Sequence, residues 1–556
     1  GERPWGGETF PTEPHFPLYS LGYFIKFLSY FFFLCLSNCS SPGDLDVRLG
    51  YDLCSQEQEF LCKRKRIVAQ ALKQVLQLDY DLQDHEVPVV AIMTTGGGTR
   101  SYTTTFGSMR ALKKLNLMDC VTYMSGLSGT SWAMAHLYRD AYWSQNDLHE
   151  KIQEAKKQVT KSKLEMFTAN RMKYYYQQLT QRKQEGYPIT FIDLWGLIIE
   201  YLLNDGKDNH RLSEQKESLI NGQNPLPIYV TINIKDKYST QDFKEWLEFT
   251  PYEVGFLKYG AFVHPEDFGS EFFMGHLIKK LPETRMCYLH GDVINYLIEC
   301  QSIIIQHLMD EDPHLPTKPY ELKSRMFVPP GSLATKLRGI LTDRLAVAQY
   351  HNFLKGFQMH DCYMENTHFH RWKATTLDCC PNQLTEYDDH LGLVDAGFFI
   401  NTSCPPLLRL ERKVDVILHL SYSPLEDACK YYKEQGIPFP NVVLTDEDRK
   451  HLKECYYFNQ SEGSGCPILV FFPLVNDTFQ YYSAPGERRS EADMAGGNID
   501  VSTCKTPYST YCLKYSDEDF DKLVNLSEYN ILNNQHLIFQ ALHAAIERKR
   551  QHCCKN

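Results

Sequence analysis

Residues 126–130 read Gly-Leu-Ser-Gly-Thr, between the apolar run Val121-Thr122-Tyr123-Met124 and the helix-like string Ser131-Trp132-Ala133-Met134-Ala135-His136-Leu137. Small residues on both sides of Ser128 let a strand turn sharply into a helix. Such a turn belongs to a sheet of strand–helix units, where it lifts a serine hydroxyl out of the sheet top beside helix N-terminal amides. That is how a serine becomes a nucleophile. Thr130 departs from the G-x-S-x-G pattern at its fifth position, and taken alone the string reads equally well as a structural turn.

A second segment sharpens the reading. Pro88-Val89-Val90-Ala91-Ile92-Met93 is a short apolar run typical of a buried strand, and Thr94-Thr95-Gly96-Gly97-Gly98-Thr99-Arg100 follows it. Consecutive glycines allow close backbone approach, so their N–H groups can converge on a negative oxygen. Arg100 adds a fixed cation with planar donors, suited to phosphate. Alone this is also what a flexible loop looks like. Oxyanion donors followed by a nucleophile, each after a buried strand, is the order of acyl transfer.

A base is still needed. None of the 20 histidines has a telling context. The informative late segment is Leu391-Gly392-Leu393-Val394-Asp395-Ala396-Gly397, an apolar strand ending in an aspartate. Asp395 would sit at the C-terminal edge of that strand, where α/β sheets place their chemistry. A carboxylate serves as base to a serine when it lies within hydrogen-bond reach and its surroundings raise its basicity.

Gly-Gly-Gly-x-Arg, Gly-Leu-Ser-Gly and Asp-Ala-Gly, in this order, resemble the Ser–Asp dyad motifs of the group IV cytosolic phospholipases A2, relatives of patatin. Further strings agree: Asn224-Pro225-Leu226-Pro227-Ile228-Tyr229, Phe249-Thr250-Pro251-Tyr252-Glu253-Val254-Gly255, Lys258-Tyr259-Gly260, Phe268 to Gly275, and Tyr482-Ser483-Ala484-Pro485-Gly486. The similarity runs from about Asp46 to the C-terminus. It looks nearest the delta, epsilon and zeta branch, with delta favoured by the stretch Asp46 to Cys54. The resemblance implies Ser128 as nucleophile, Asp395 as its base, oxyanion amides from Gly97 and Gly98, and Arg100 on the lipid phosphate. It also implies an α/β fold, a central, mainly parallel sheet flanked by helices with a helical cap. The expected activity is hydrolysis of fatty acyl esters of glycerophospholipids, with lysophospholipase or transacylase outcomes sharing the same residues. No cofactor is expected in the catalytic domain. Members of the family carry a calcium-dependent lipid-binding C2 domain ahead of it, and calcium is expected only through that domain, which residues 1–45 do not supply.

Length and composition fit this without demanding it. No Gly/Ser/Pro-rich linker divides residues 46–545, so the 556 residues read as an atypical apolar N-terminal segment, 1–45, and one catalytic domain, 46–556. A net charge of −11 argues against nucleic acid as the main partner. The 18 cysteines fall below disulfide-scaffold density, and several, Cys120 and Cys287 among them, lie in apolar contexts that suit buried reduced thiols. A reducing, cytoplasmic setting with peripheral membrane association is expected. His360, Cys362, His368 and His370 form the nearest metal-like cluster, but without a paired second half, so no metal is expected. Sequons at Asn38, Asn401, Asn459, Asn476 and Asn525 carry no inference. Leu18 to Leu36 is nearly continuously apolar and long enough to span a bilayer if helical.

Coarse periodicity predicts a helix over 57–78 bearing Lys63-Arg64-Lys65-Arg66 on a solvated face, a helix over 106–117, helical insertions over 148–203, and strands over 414–422 and 467–475. Between about Cys287 and Arg338 the cap looks shortened relative to the family. A last helix over 530–550 ends in a basic tail, and Arg548, Lys549, Arg550 and Lys555 are expected to meet an anionic lipid surface. Two other readings fit the same residues: a catalytically silent lipid-binding protein, and a membrane protein anchored through 18–36.

Overall fold

Fully buried strands, continuous in their apolar residues, decide the architecture. The computed structural model describes residues 45–235, 243–292, 347–359, 385–398, 400–422, 438–440, 442, 444–459, 465–501, 506–509 and 512–553. The strands are β1 (Arg48–Leu49), β2 (Val90–Thr94), β3 (Tyr123–Gly126), β4 (Leu226–Ile234), β5 (Glu245–Phe249), β6 (Val254–Phe256), β7 (Ala261–Val263), β8 (Glu271–Phe273), β9 (His276–Lys279), β10 (Ala348–His351), β11 (His390–Val394), β12 (Val416–Ser421), β13 (Tyr456–Phe458), β14 (Ile468–Pro473), β15 (Tyr482–Ala484) and β16 (Glu487–Arg488). The main helices are α1 (Ser55–Val75), α2 (Thr99–Lys114), α3 (Gly129–Leu137), α4 (His149–Thr160), α5 (Ala169–Glu185), α6 (Phe191–Leu203), α7 (Met286–Asp292), α8 (Asp517–Asn533) and α9 (Gln535–Cys553).

One sheet of 12 strands runs β1-β7-β6-β5-β4-β3-β2-β12-β14-β13, with β10 and β11 joined to it through β4. Its centre, β4 to β14, is parallel, as expected, and its wings are antiparallel. Every residue of β2, β3, β4, β12 and β14 is buried. Helices cover both faces of such a sheet, which is why these strands lack polar alternation. Val47 to the C-terminus forms one compact unit.

The nine-residue β4 organises the site. One edge pairs with β5 over Tyr229–Asn233. Along the other edge, β3 pairs in parallel up to Gly126 opposite Tyr229, and β11 pairs antiparallel down to Val394 opposite Ile232. The two strands therefore point their C-terminal ends at each other along one edge. Asp395 does leave the end of a strand, but of an antiparallel strand arriving from the opposite side.

Several expectations are met with altered boundaries and two are overturned. The 57–78 helix is α1, and the strands over 414–422 and 467–475 are β12 and β14. The helix expected over 106–117 is α2, which starts already at Thr99, directly on the glycine turn. Gly107 lets α2 and α8 cross closely, since a β-carbon there would lie 2.1 Å from Ser527 Oγ and 2.3 Å from the Val524 carbonyl oxygen. The insertions over 148–203 are α4, α5 and α6. The single helix expected over 530–550 is instead two. Ser516 and Asp519 form a capping box that starts α8 early, and the chain breaks at Asn534, whose side chain joins that of Asn533 on Glu454. Arg64 is not on a solvated face. It falls on the Phe60, Val68, Leu72 stripe of α1, is fully buried, and donates to the carbonyls of Met118, Val121 and Gly222. The 18–36 run, the His360 to His370 cluster, most of the 287–338 cap segment and Lys555 lie outside the described residues. Among the described residues no helix is long and apolar enough to cross a membrane.

Candidate functional site

Two neighbouring strand–helix turns share one backbone shape. After β2, Gly98 has φ 58°, ψ −132° and caps α2; after β3, Ser128 has φ 53°, ψ −137° and caps α3. Glycine adopts this shape freely, whereas a serine held there stores strain on the order of 1–3 kcal/mol. The turns interlock. A β-carbon on Gly129 would lie 1.9 Å from the Gly98 carbonyl oxygen, and one on Gly96 would lie 2.7 Å from Ser128 Cβ. Thr130 Oγ1 donates to the Thr95 carbonyl at 3.0 Å, so the residue that departs from the glycine pattern ties the serine turn to the glycine turn. Among the described residues, the Gly97 and Gly98 amides donate to no protein acceptor.

Asp395 enters this space from β11. It is 2% exposed, and its Oδ1 accepts the Gly397 amide at 2.8 Å. Burial pushes its carboxyl up to about 7, against the opposing pull of the Gly397 amide hydrogen bond and the nearby Ser128 hydroxyl. Ser128 and Asp395, 267 positions apart by numbering (395 − 128), thus come close to one another in a nearly closed site. Among the described residues no histidine joins their hydrogen bonds. His136, on α3 itself, is occupied by Tyr102 and Glu154, both at 2.9 Å, and burial drives its ring down to about 4.

Arg100 lies beside the glycine turn, its Nε and Nη2 each 3.5 Å from where a Gly97 β-carbon would stand. It donates from Nη2 to the Tyr422 carbonyl at 2.9 Å and from Nη1 to the Tyr508 carbonyl at 3.3 Å. The described basic-tail residues also have internal partners. Arg548 donates to the Cys466 carbonyl and to Asn459, Lys549 pairs with Asp415 at 3.0 Å, and Arg550 pairs with Glu86 at 2.8 Å.

Sequence reasoning missed the segment that ties the site together. Asn401 Oδ1 accepts the Gly96 amide at 2.6 Å. Ser403 Oγ accepts the Thr94 amide and donates to the Thr94 carbonyl, joining β2 to β3 through Ser125. Thr231 Oγ1 donates to the Val394 carbonyl at 2.6 Å, fixing the residue before Asp395. The only local signal was the Asn401-Thr402-Ser403 triplet, which reads as a sequon; in the structure Thr402 and Ser403 are fully buried and bonded internally. One helical turn after Ser128, Ser131 lines a small apolar cavity of about 20 Å³ walled by Leu212, Tyr229, Phe249, Met286 and Leu289.

Residues 90–430 match the lysophospholipase catalytic domain family. The chain is 49% identical to cytosolic phospholipase A2 epsilon of Homo sapiens over 545 residues, 93% of this chain and 63% of that protein. It is 44% identical to the human delta protein over 533 residues, covering 91% of this chain and 65% of the relative. The solved structure of human GIVD cytosolic phospholipase A2 superposes with a TM-score of 0.82 at 44% identity, over 91% of this chain and 69% of that one. The chain thus spans less than two thirds of the length of these epsilon and delta relatives.

Proposed function

Since this chain belongs to the lysophospholipase catalytic domain family, alongside the cytosolic phospholipases A2, we propose that it is a serine acyl-ester hydrolase acting on membrane glycerophospholipids. The observation that carries this is the approach of the Ser128 hydroxyl to a buried Asp395 whose carboxyl is poised near neutrality. A base works best with a pKa close to the working pH, and burial supplies that here without a histidine.

In the reaction, Asp395 accepts the Ser128 proton as the serine oxygen bonds to the acyl carbon. The Gly97 and Gly98 amides, which have no acceptor among the described residues, meet the oxyanion of the tetrahedral intermediate. On collapse the glycerol C–O bond breaks and the leaving alkoxide takes the proton from Asp395, leaving an acyl-serine. Water then gives its proton to Asp395, its oxygen attacks the acyl carbon, and the serine oxygen leaves with that proton. Free fatty acid and the starting enzyme result. An alcohol or amine in place of water gives a transacylation product by the same steps.

Arg100, held against Gly97 by two carbonyls, brings its charge to the lipid phosphate. Peripheral attachment to an anionic cytoplasmic membrane face through Arg548, Lys549, Arg550 and Lys555 completes the proposal, with the partly exposed ion pairs of Lys549 and Arg550 exchanging protein for lipid partners.

The test is hydrolysis of a phospholipid and of an uncharged soluble ester by folded variants. Ser128→Ala and Asp395→Asn each drop both activities to background, because the two act as one unit. Arg100→Lys lowers phospholipid turnover more than ester turnover. Full activity in either dyad variant sinks the assignment, and a folded but inactive wild-type chain would make it a lipid-binding protein.

A further inference from the structure

The oxyanion cradle is made from the least self-restraining residues available. Gly96, Gly97 and Gly98 have no side chains to hold them, and Gly97 and Gly98 have φ of +154° and +58°. A loop of this kind stabilises a transition state only if something outside it fixes its peptide planes beforehand. Asn401 is in the right place. Its Oδ1 accepts the Gly96 amide at 2.6 Å, and its Nδ2 makes a longer contact, 3.5 Å, with the Gly96 carbonyl oxygen.

The Gly96 carbonyl and the Gly97 amide belong to one planar peptide unit and point in opposite directions. Drawing the carbonyl toward Asn401 therefore aims the Gly97 N–H away from it. The serine hydroxyl lies close to the same residue, since the Gly96 β-position is 3.1 Å from Asn401 Oδ1 and 3.2 Å from Ser128 Oγ. Asn401 also travels with the base, six positions after Asp395 by numbering (401 − 395), and both side chains approach Gly397, at 3.6 and 3.2 Å from its β-position.

Building on the acyl-transfer reading above, we propose that Asn401 is a positioning residue that clamps the Gly96 peptide and orients the Gly97 amide, so that the base and the oxyanion cradle are set by one segment. It touches no reacting atom. Its effect falls on the transition state and not on substrate binding.

Steady-state kinetics on a soluble aryl ester of a medium-chain fatty acid test this, with folding checked by circular dichroism. Asn401→Ala lowers kcat about 10- to 100-fold while KM stays within about twofold, less than the loss of a direct oxyanion donor. Asn401→Asp keeps an acceptor for the Gly96 amide but adds a negative charge near Asp395, so the midpoint of its pH–rate profile moves upward. The proposal is overturned if both folded variants keep kcat within about threefold of wild type, or if only KM changes. It is also overturned if the near-isosteric Asn401→Asp fails to fold, which makes the residue structural. Failure of the underlying reading is a separate result: wild-type protein no faster than Ser128→Ala.

Discussion

As the proposed base, Asp395 links activity and stability with opposite signs. Its carboxyl ordinarily titrates at 3.8, and burial lifts it to about 7 in the folded protein. A raised carboxyl favours the folded state when neutral, so this contribution is complete below the ordinary value and is lost as pH rises through about 7. General-base action needs the ionised form, so kcat/KM on a soluble ester rises across the same window and levels off above it. The contributions of buried His136 and His290, whose rings are driven down to about 4, run the other way and are lost as pH falls from the ordinary 6.5. Comparison with Asp395→Asn isolates the aspartate. Above pH 7 this variant melts higher than wild type, by an amount worth on the order of a few kcal/mol, and is inactive. A variant that melts at or below wild type throughout would contradict the buried, proton-hungry carboxyl. Residues of this kind were legible because their chemistry sits in short motifs. Asn401 was not, since its partner is 305 positions away and nothing near either residue announces the other.

At the scale of elements, buried arginines hold the site-bearing segment to the rest of the sheet. Arg412 donates to Glu57 on α1 at 2.9 Å and to Glu248 on β5 at 2.6 Å, and Arg409 also donates to Glu248. Both arginines follow Asp395 and Asn401 in the same segment. Arg412→Ala leaves two buried carboxylates short of a partner, and urea denaturation should show a loss of about 3–5 kcal/mol; a change under about 1 kcal/mol would mean water or Arg409 replaces it. Strands and amphipathic helices were legible from apolar runs and periodicity. Element edges were less so, because they depend on partners distant in sequence: α2 begins where Gly98 turns, and α8 stops where Asn533 and Asn534 reach Glu454. Arg64 defeated a rule that treats clustered charge as solvated, because one member of the cluster falls on the apolar stripe of α1.

Across the whole molecule, a chain of net charge −11 needs local cations to approach an anionic bilayer. Replacing Arg548, Lys549, Arg550 and Lys555 with glutamine should cut co-sedimentation with phosphatidylserine vesicles about tenfold at physiological salt, less than full additivity because Arg548, Lys549 and Arg550 already have protein partners. Turnover of a monomeric ester should persist, and unchanged sedimentation would leave the tail as ordinary surface. The fold class was legible through the family resemblance carried by the strand-ending motifs, whereas the antiparallel entry of β11 was not, since an apolar strand carries no mark of its direction. That entry gives β4 the role of a ruler. The proposed nucleophile and base are spaced by the three steps along β4 between Tyr229 and Ile232. A slip of β11 by one residue would move Asp395 by about 3.3 Å and turn its side chain to the other face. Such a molecule would stay condensed and spectroscopically ordinary, yet chemically mute. Titration of Ser128 with an active-site phosphonate therefore counts correctly registered molecules, and separates them from merely collapsed ones in a way that circular dichroism does not.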